Sequence, residues 1–326
     1  MVPADHIFSI NSASDFEHAC LEIFRHQSRY CDVYARYLSL LGVSAEQVGR
    51  VTDIPHLPIE FFKSHRIVSN ASETHLVFSS SGTTGSVQSK HYVADADLYE
   101  RSFRTAFERF YGPPQKLAIL ALLPSYSERE GSSLIYMVDD LIRRSGHPLS
   151  GYFLYNHDDL YRVLQQLNAD RVPTLLIGVT YALLDFVERY SVSFPDLIVM
   201  ETGGMKGRRH EMIREEVHGR LRDGFQVDSV HSEYGMTELL SQAYSRGNGR
   251  FTAPPWMKIN IREMNDPFTR LPDGQTGAIN IIDLANIHSC SFIGTQDLGR
   301  AYPDGTFEVL GRFDQSDIRG CNLLVQ

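Results

Sequence analysis

Between Ser79 and Lys90 the chain crowds serines, threonines, two glycines and a lysine into one short stretch. Glycine lets backbone N–H groups approach an anion closely, and serine and threonine hydroxyls add further donors. Lys90 supplies a compact positive charge suited to phosphate. Ser80, Ser81, Gly82, Thr83, Thr84 and Gly85 therefore form a candidate polyphosphate cradle. A solvated Ser/Gly loop is the plainer alternative. The Walker pattern needs Gly-Lys-Ser/Thr in direct succession, which this stretch lacks, so a nucleotide held here belongs to another class.

Three further stretches could add to such a site. In His231-Ser232-Glu233-Tyr234-Gly235-Met236-Thr237-Glu238 an aromatic ring, a glycine, a hydroxyl and a carboxylate stand in a row. The ring can stack on a base, the hydroxyl can bond a phosphate and the carboxylate can hold Mg²⁺. The same row also reads as a helix start capped by Thr237. In Gly294-Thr295-Gln296-Asp297-Leu298-Gly299-Arg300, Asp297 reads as a turn residue whose two oxygens could accept from both hydroxyls of a ribose. Its alternative role is a local turn cap. Gly311 to Gly320 is rich in charge and bounded by glycines, like a hinge.

The whole chain bounds these possibilities. Its 326 residues allow about two domains, and 42% hydrophobic with 22% charged residues is ordinary for a globular protein. A net charge of -9 without a dense Lys/Arg stripe argues against nucleic-acid partners and anionic membrane surfaces. Apolar runs such as Leu117 to Pro124 are too short to span a bilayer. The N-terminus lacks a basic start followed by an apolar core, so no secretory signal is expected and a cytoplasmic location is. Cys20, Cys31, Cys290 and Cys321 are widely spaced, which favours reduced thiols over disulfides or zinc.

The elements that must position these residues follow from periodicity. Ser14 to Leu41 predicts one long helix or two, with Ser14 and Glu17 as a capping box. His75 to Phe78 reads as a short buried strand leading into the loop. Asp95 or Asp97 caps a helix to about Tyr111. Strands at Lys116 to Leu123, Gly151 to Tyr155, Pro173 to Gly178 and Leu197 to Glu201 then alternate with helices at Ser132 to Arg144, Asp158 to Leu167, Thr180 to Tyr190 and Gly207 to Arg222. This pattern predicts an α/β fold with a mostly parallel sheet flanked by helices, ligands lying beyond strand ends. After a strand at Gln226 to Val230, turns at Asn248-Gly249, Pro272-Asp273-Gly274 and Pro303-Asp304-Gly305 separate short strands. The expected division is an α/β core over 1–225, with its N-terminal helical segment, and a smaller β-rich subdomain over 226–326.

In this order the four stretches resemble the adenylate-forming superfamily of acyl-CoA synthetases, firefly-type luciferases and peptide-synthetase adenylation domains. Ser80-Ser81-Gly82-Thr83-Thr84-Gly85 resembles its phosphate loop, and Tyr234-Gly235-Met236-Thr237-Glu238 its aromatic-Gly-x-Thr-Glu motif. Thr295-Gln296-Asp297 stands where the family has Thr-Gly-Asp, and Gly311-Arg312 with Asp314 resembles its hinge. Leu57 to Lys63, Leu123 to Ser133 and Glu201 to Gly207 look more narrowly like the acyl-protein synthetases of the bacterial luminescence fatty-acid reductase. The resemblance implies the large N-terminal domain of an adenylate-forming enzyme, with the C-terminal lid domain absent because the chain stops at Gln326. It implies ATP and Mg²⁺ as cofactors. The phosphates would lie on Ser80 to Gly85 and Lys90, the α-phosphate on Thr237 and Mg²⁺ on Glu238. Adenine would lie on Tyr234 and along Gly203 and Gly204, with the ribose on Asp297 and Arg312 reaching ribose or phosphate.

By the same resemblance, a carboxylic acid, fatty or aromatic, is activated to an acyl-adenylate and passed to a thiol. Cys321 is the candidate acceptor, with a buried apolar filler as its alternative role. A carrier protein or reductase is a possible partner. Lys206, Arg208, Lys258 and Arg300 are candidates for the cation that a lid would supply. Two other readings stand beside this one: a coenzyme A ligase with its lid on another chain, and a catalytically quiet nucleotide-binding partner.

Overall fold

The computed structural model describes residues 2–70, 73, 74, 76–81, 87–125, 129–203 and 212–313. In chain order it forms α1 (Ala4–Phe8), α2 (Ala13–Tyr30), α3 (Asp32–Leu40), β1 (Leu57–Pro58), α4 (Phe61–Ser64), β2 (Leu76–Ser79), β3 (Lys90–Val93) and α5 (Ala96–Tyr111). Then follow β4 (Ala118–Leu122), α6 (Ser133–Ser145), β5 (Gly151–Tyr152), α7 (His157–Ala169), β6 (Thr174–Gly178), α8 (Thr180–Val187), β7 (Leu197–Glu201) and α9 (Arg214–Phe225). The remainder is β8 (His231–Tyr234), β9 (Ala243–Ser245), β10 (Arg250–Thr252), β11 (Met257–Arg262), β12 (Thr276–Asp283), β13 (Phe292–Ala301) and β14 (Phe307–Arg312). The expected α/β class is borne out.

These elements fall into two compact units interleaved along the chain. One comprises residues 1–102, 237–241 and 252–326, the other residues 103–236 and 242–251. A single cut after residue 225 therefore does not describe the packing: the N-terminal helices and first hairpin join the late β-rich segment.

In the second unit β4, β5, β6, β7 and β8 pair in parallel, and β9 closes on β8 antiparallel. β4 and β6 are buried at every position. Strands covered on both faces must be apolar throughout, which is why Ala-Ile-Leu-Ala-Leu and Thr-Leu-Leu-Ile-Gly form them. Leu160, Leu164 and Leu167 of α7 are fully buried at helical spacing, and Phe186 of α8 stacks on Phe225 of α9 with ring centroids 5.6 Å apart.

In the first unit β11 to β14 form an antiparallel meander, and β1 adds to β13 in parallel. β2 and β3 form a separate hairpin. α2 buries Phe16, Ala19, Cys20, Ile23, Phe24 and Gln27 along one stripe. Gln27 ties the helix down by donating to the Asn286 carbonyl at 2.9 Å and accepting from the Ser291 N–H at 2.9 Å.

Several local expectations change. The α2 cap is Ser12, which accepts from the Asp15 N–H, so Ser14 and Glu17 lie inside the helix. Asp95, rather than Asp97, accepts from the Leu98 N–H at the start of α5. Thr180 is the first residue of α8, and its hydroxyl turns to Glu201. The strand expected at Gln226 to Val230 falls at His231–Tyr234, because Gln226 adopts a left-handed conformation that ends α9. No helix starts at Thr237. Asp297 lies inside the long strand β13 rather than in a turn.

Candidate active site

The phosphate-loop stretch connects the two antiparallel strands of the β2–β3 hairpin, not a strand to a helix. The Ser80 N–H donates to the Ser89 carbonyl at 3.0 Å, and the Ser80 hydroxyl accepts from the Ser89 N–H at 3.0 Å, closing its base. Ser81 is exposed. Gly82, Thr83, Thr84 and Gly85 lie outside the described residues. Lys90 pairs with Ser79 across the hairpin and is exposed, whereas its neighbours Ser89 and His91 are buried.

Within the first unit Glu238, Asp297, Arg312 and Ser89 come together. The Glu238 side chain is buried. Burial raises its carboxyl, against the lowering influence of Ser89, its own N–H and the Arg312 charge, while the Asp297 charge pushes upward again. Glu238 and Asp297 are buried, whereas the Arg312 side chain is 70% exposed, so two buried acids face one solvent-screened arginine. Asp297 and Arg312 are register partners on β13 and β14, and Arg312 Nε lies 3.2 Å from Asp297 Oδ1. The Asp297 N–H donates to Thr295 Oγ1, whose hydroxyl donates to the Ile279 carbonyl at 2.8 Å. Thr295 thus fixes the strand that carries the acid.

The backbone after Glu238 is held by side chains. Asn286 Nδ2 donates to the Glu238 carbonyl at 2.8 Å, and its Oδ1 accepts from the Leu240 N–H at 3.0 Å. Asp283 accepts from the Leu240 and Ser241 N–H groups, the Ser241 hydroxyl at 2.6 Å and the Ala285 N–H. Trp256 Nε1 donates to Ser241 Oγ at 2.9 Å. Burial lifts the Asp283 carboxyl to about 6 despite these donors. Neither Asp283 nor Asn286 stands out in the sequence; the only signal is a polar Asp-x-x-Asn directly after an apolar strand.

The second unit holds Tyr234, Gly235, Gly203, Glu201 and Glu233. Tyr234 is buried and meets Phe251 edge to face, ring centroids 5.9 Å apart. Gly203 has φ +74, and among the described residues, its chain neighbours aside, no atom lies within 4 Å of where its Cβ would stand. Gly204 lies outside the described residues. Glu201, at the end of β7, accepts from the Gly203 N–H at 2.6 Å and the Thr180 hydroxyl at 3.1 Å. Burial alone would raise its carboxyl, but His218, Ser232, the Arg214 charge and the Gly203 N–H hold it down at about 2. On the adjacent strand, burial and the Glu201 charge push the Glu233 carboxyl up to about 8. Glu233 Oε1 lies 2.5 Å from the Cβ position of Gly235, so any side chain there would displace it.

This pair makes stability depend on pH in a definite direction. Below an unfolded carboxyl near 4.5, Glu233 is protonated in both states and its contribution is fully present; it is lost as pH rises towards about 8. Glu233→Gln is expected to remove that alkaline loss, measured as a flatter denaturation midpoint between pH 6 and pH 8, about one proton less in the linkage slope.

His231, the first residue of β8, lies 3.2 Å from the Tyr111 hydroxyl, and burial pulls its ring down to about 4. Of the candidate cations, Lys258 sits over the Phe16 ring and Arg300 donates to Thr276 Oγ1, so both are engaged. Lys206, Arg208 and Cys321 lie outside the described residues. Cys20, Cys31 and Cys290 are buried, and burial raises the first two thiols to about 12 and about 11 and the third well above its ordinary value. They are poor nucleophiles. Among the described residues no helix is long and apolar enough to cross a membrane.

The fold is that of the large N-terminal domain of adenylate-forming enzymes. A 2-hydroxyisobutyryl-CoA ligase, solved in the postadenylation state with its acyl-AMP, aligns with 96% of this chain and 72% of its own at a TM-score of 0.68 and 14% identity. MatB from Rhodopseudomonas palustris, solved with ATP, aligns with 72% of this chain at a TM-score of 0.53 and 18% identity. The aligned part is 47% of MatB, so about half of that protein has no counterpart in the match. In sequence, the chain is similar to the long-chain-fatty-acid–luciferin-component ligase of Vibrio harveyi, 24% identical over 330 residues, covering 90% of this chain and 82% of that protein. No family model matches. The resemblance seen in the four motifs is thereby borne out at the level of fold and overall sequence.

Proposed function

We propose that this protein uses ATP to activate a carboxylic acid as an acyl-adenylate, releasing pyrophosphate, and passes the acyl group to a thiol. The observation that carries this reading is the gathering of buried Ser89, Glu238 and Asp297 with the exposed Arg312, on four separate stretches of chain. Glu238 would hold Mg²⁺. Among the described residues there is no cluster of three metal-ligating side chains, which suits Mg²⁺, a cation commonly bound by one or two carboxylates plus substrate phosphates. Asp297 would accept from the ribose hydroxyls, with Arg312 beside it neutralising charge. Thr237 would donate to the α-phosphate, and Tyr234 and Gly203 would border adenine. Phosphoryl transfer of this kind depends on positioning and fixed charge, which these residues supply.

The acid is a fatty or aromatic one in this reading, and the similarity to the long-chain-fatty-acid–luciferin-component ligase of Vibrio harveyi supports the fatty alternative. The acceptor is a thiol of the protein itself, with Cys321 the candidate, or of a partner carrier or reductase. Coenzyme A is the second reading, supported by the names of the structural relatives. The test is exchange of labelled pyrophosphate into ATP over a panel of fatty and aromatic acids. Exchange is expected with at least one acid and none without acid; exchange with no member of the panel would overturn the proposal. Hydroxylamine-labile acyl label that persists on Cys321→Ser would remove Cys321 as acceptor.

A further inference from the structure

Ser89 and His91 leave the phosphate hairpin two residues apart, 3% and 1% exposed, with exposed Lys90 between them. Residues at i and i+2 of an extended chain share a face. That face meets the turn after Met236 twice. The buried Ser89 hydroxyl faces the Glu238 carboxyl and acts to lower it. His91 Nδ1 lies 3.0 Å from the Thr237 carbonyl. A carbonyl only accepts, so Nδ1 carries the ring proton, and Nε2 accepts from Ser289 Oγ at 2.9 Å. Phe62 packs against the ring, centroids 5.6 Å apart at 81°. Burial lowers the imidazole to about 4, which keeps it neutral, and the Thr237 carbonyl selects the Nδ1–H tautomer. The following carbonyl, that of Glu238, is taken by Asn286. The turn is therefore gripped on successive peptide groups.

We infer that His91 is a positioning residue for adenylation, which together with Ser89 locks the phosphate hairpin and the Thr237–Glu238 turn into one rigid piece. This rests on the roles proposed above for Thr237 and Glu238. Phosphates on the hairpin and Mg²⁺ on the turn must keep a fixed spacing, and groups of this kind need placement to about 0.5 Å. A loosened turn still binds ATP but loses alignment, so the cost falls on kcat rather than on KM for ATP.

Two amide substitutions separate positioning from mere filling. Asparagine places its Nδ2 where the imidazole Nδ1 stands and keeps the donor to Thr237; glutamine reaches only towards the Nε2 position. His91→Gln is expected to lower kcat of pyrophosphate exchange about tenfold or more, the usual worth of a lost buried hydrogen bond, with KM for ATP little changed. His91→Asn is expected to recover most of that loss. Hydrogen–deuterium exchange without nucleotide gives a readout independent of activity: amides of 237–241 should exchange faster in His91→Gln and return towards wild type in His91→Asn. Equal kcat and equal amide protection in the two variants would overturn the inference. Failure of the underlying reading has a different signature, wild-type exchange that survives Glu238→Gln, and it would overturn the positioning role while leaving the amide result as a measure of the turn alone. Should His91→Gln not fold, Ser289→Ala frees the ring to change tautomer, and the same two readouts apply with the same expected direction.

Discussion

Glu238→Gln is expected to lower Mg²⁺-dependent pyrophosphate exchange by about a hundredfold or more, on the scale of losing one fixed charge-stabilising group from a preorganised site. The fold should survive. The carboxyl is buried and raised by burial, against a lowering influence of Ser89. Its charged form is therefore disfavoured in the folded protein, and a neutral amide of the same shape relieves that cost. The two measurements belong together: exchange rate as a function of Mg²⁺, and the midpoint of denaturation. Loss of exchange with an unchanged or higher midpoint assigns Glu238 to the reaction. Exchange at the wild-type level would place the metal elsewhere.

Asp283→Ala should do the opposite, acting on the fold first. One carboxylate accepts from two backbone N–H groups of Leu240 and Ser241, from the Ser241 hydroxyl and from the Ala285 N–H. Its removal leaves several donors buried without an acceptor, although Asn286 still holds the Leu240 N–H. An orphaned buried polar group costs about 1–3 kcal/mol, so a loss of about 3–5 kcal/mol is expected from urea denaturation. Asp283→Asn retains one acceptor oxygen and should lose less. A change under about 1 kcal/mol in the alanine variant would mean that water replaces the carboxylate.

Much of the architecture was legible from the chain. Lys116 to Leu123, Pro173 to Gly178 and Leu197 to Glu201 announce strands because a parallel sheet covered on both faces requires unbroken apolar residues. The strand at His231–Tyr234 escaped that logic, since His-Ser-Glu-Tyr has no apolar run. Asp297 was misplaced for another reason. Gly294 and Gly299 look like turn punctuation, but they lie in β13 because the space is taken. A Cβ on Gly299 would come within 2.4 Å of the Glu308 carbonyl and 2.5 Å of Ile279. The motif residues Glu238, Asp297 and Arg312 were visible through resemblance, whereas their supports were not. His91 and Thr237 are 146 residues apart, Asn286 and Glu238 48 apart, and no local pattern encodes such pairs.

Those separations also bear on the order in which the protein folds. The five residues from Thr237 to Ser241 pack with the first unit while the chain on either side of them packs with the second. Their partners come from an early hairpin and from the corner after β12, so the turn gains its hydrogen bonds only when both have formed. Loop closure must precede the contacts that reward it, and such non-local segments are slow to order. The turn that carries Thr237 and Glu238 is thus expected to order late in folding, threaded out of one unit and back.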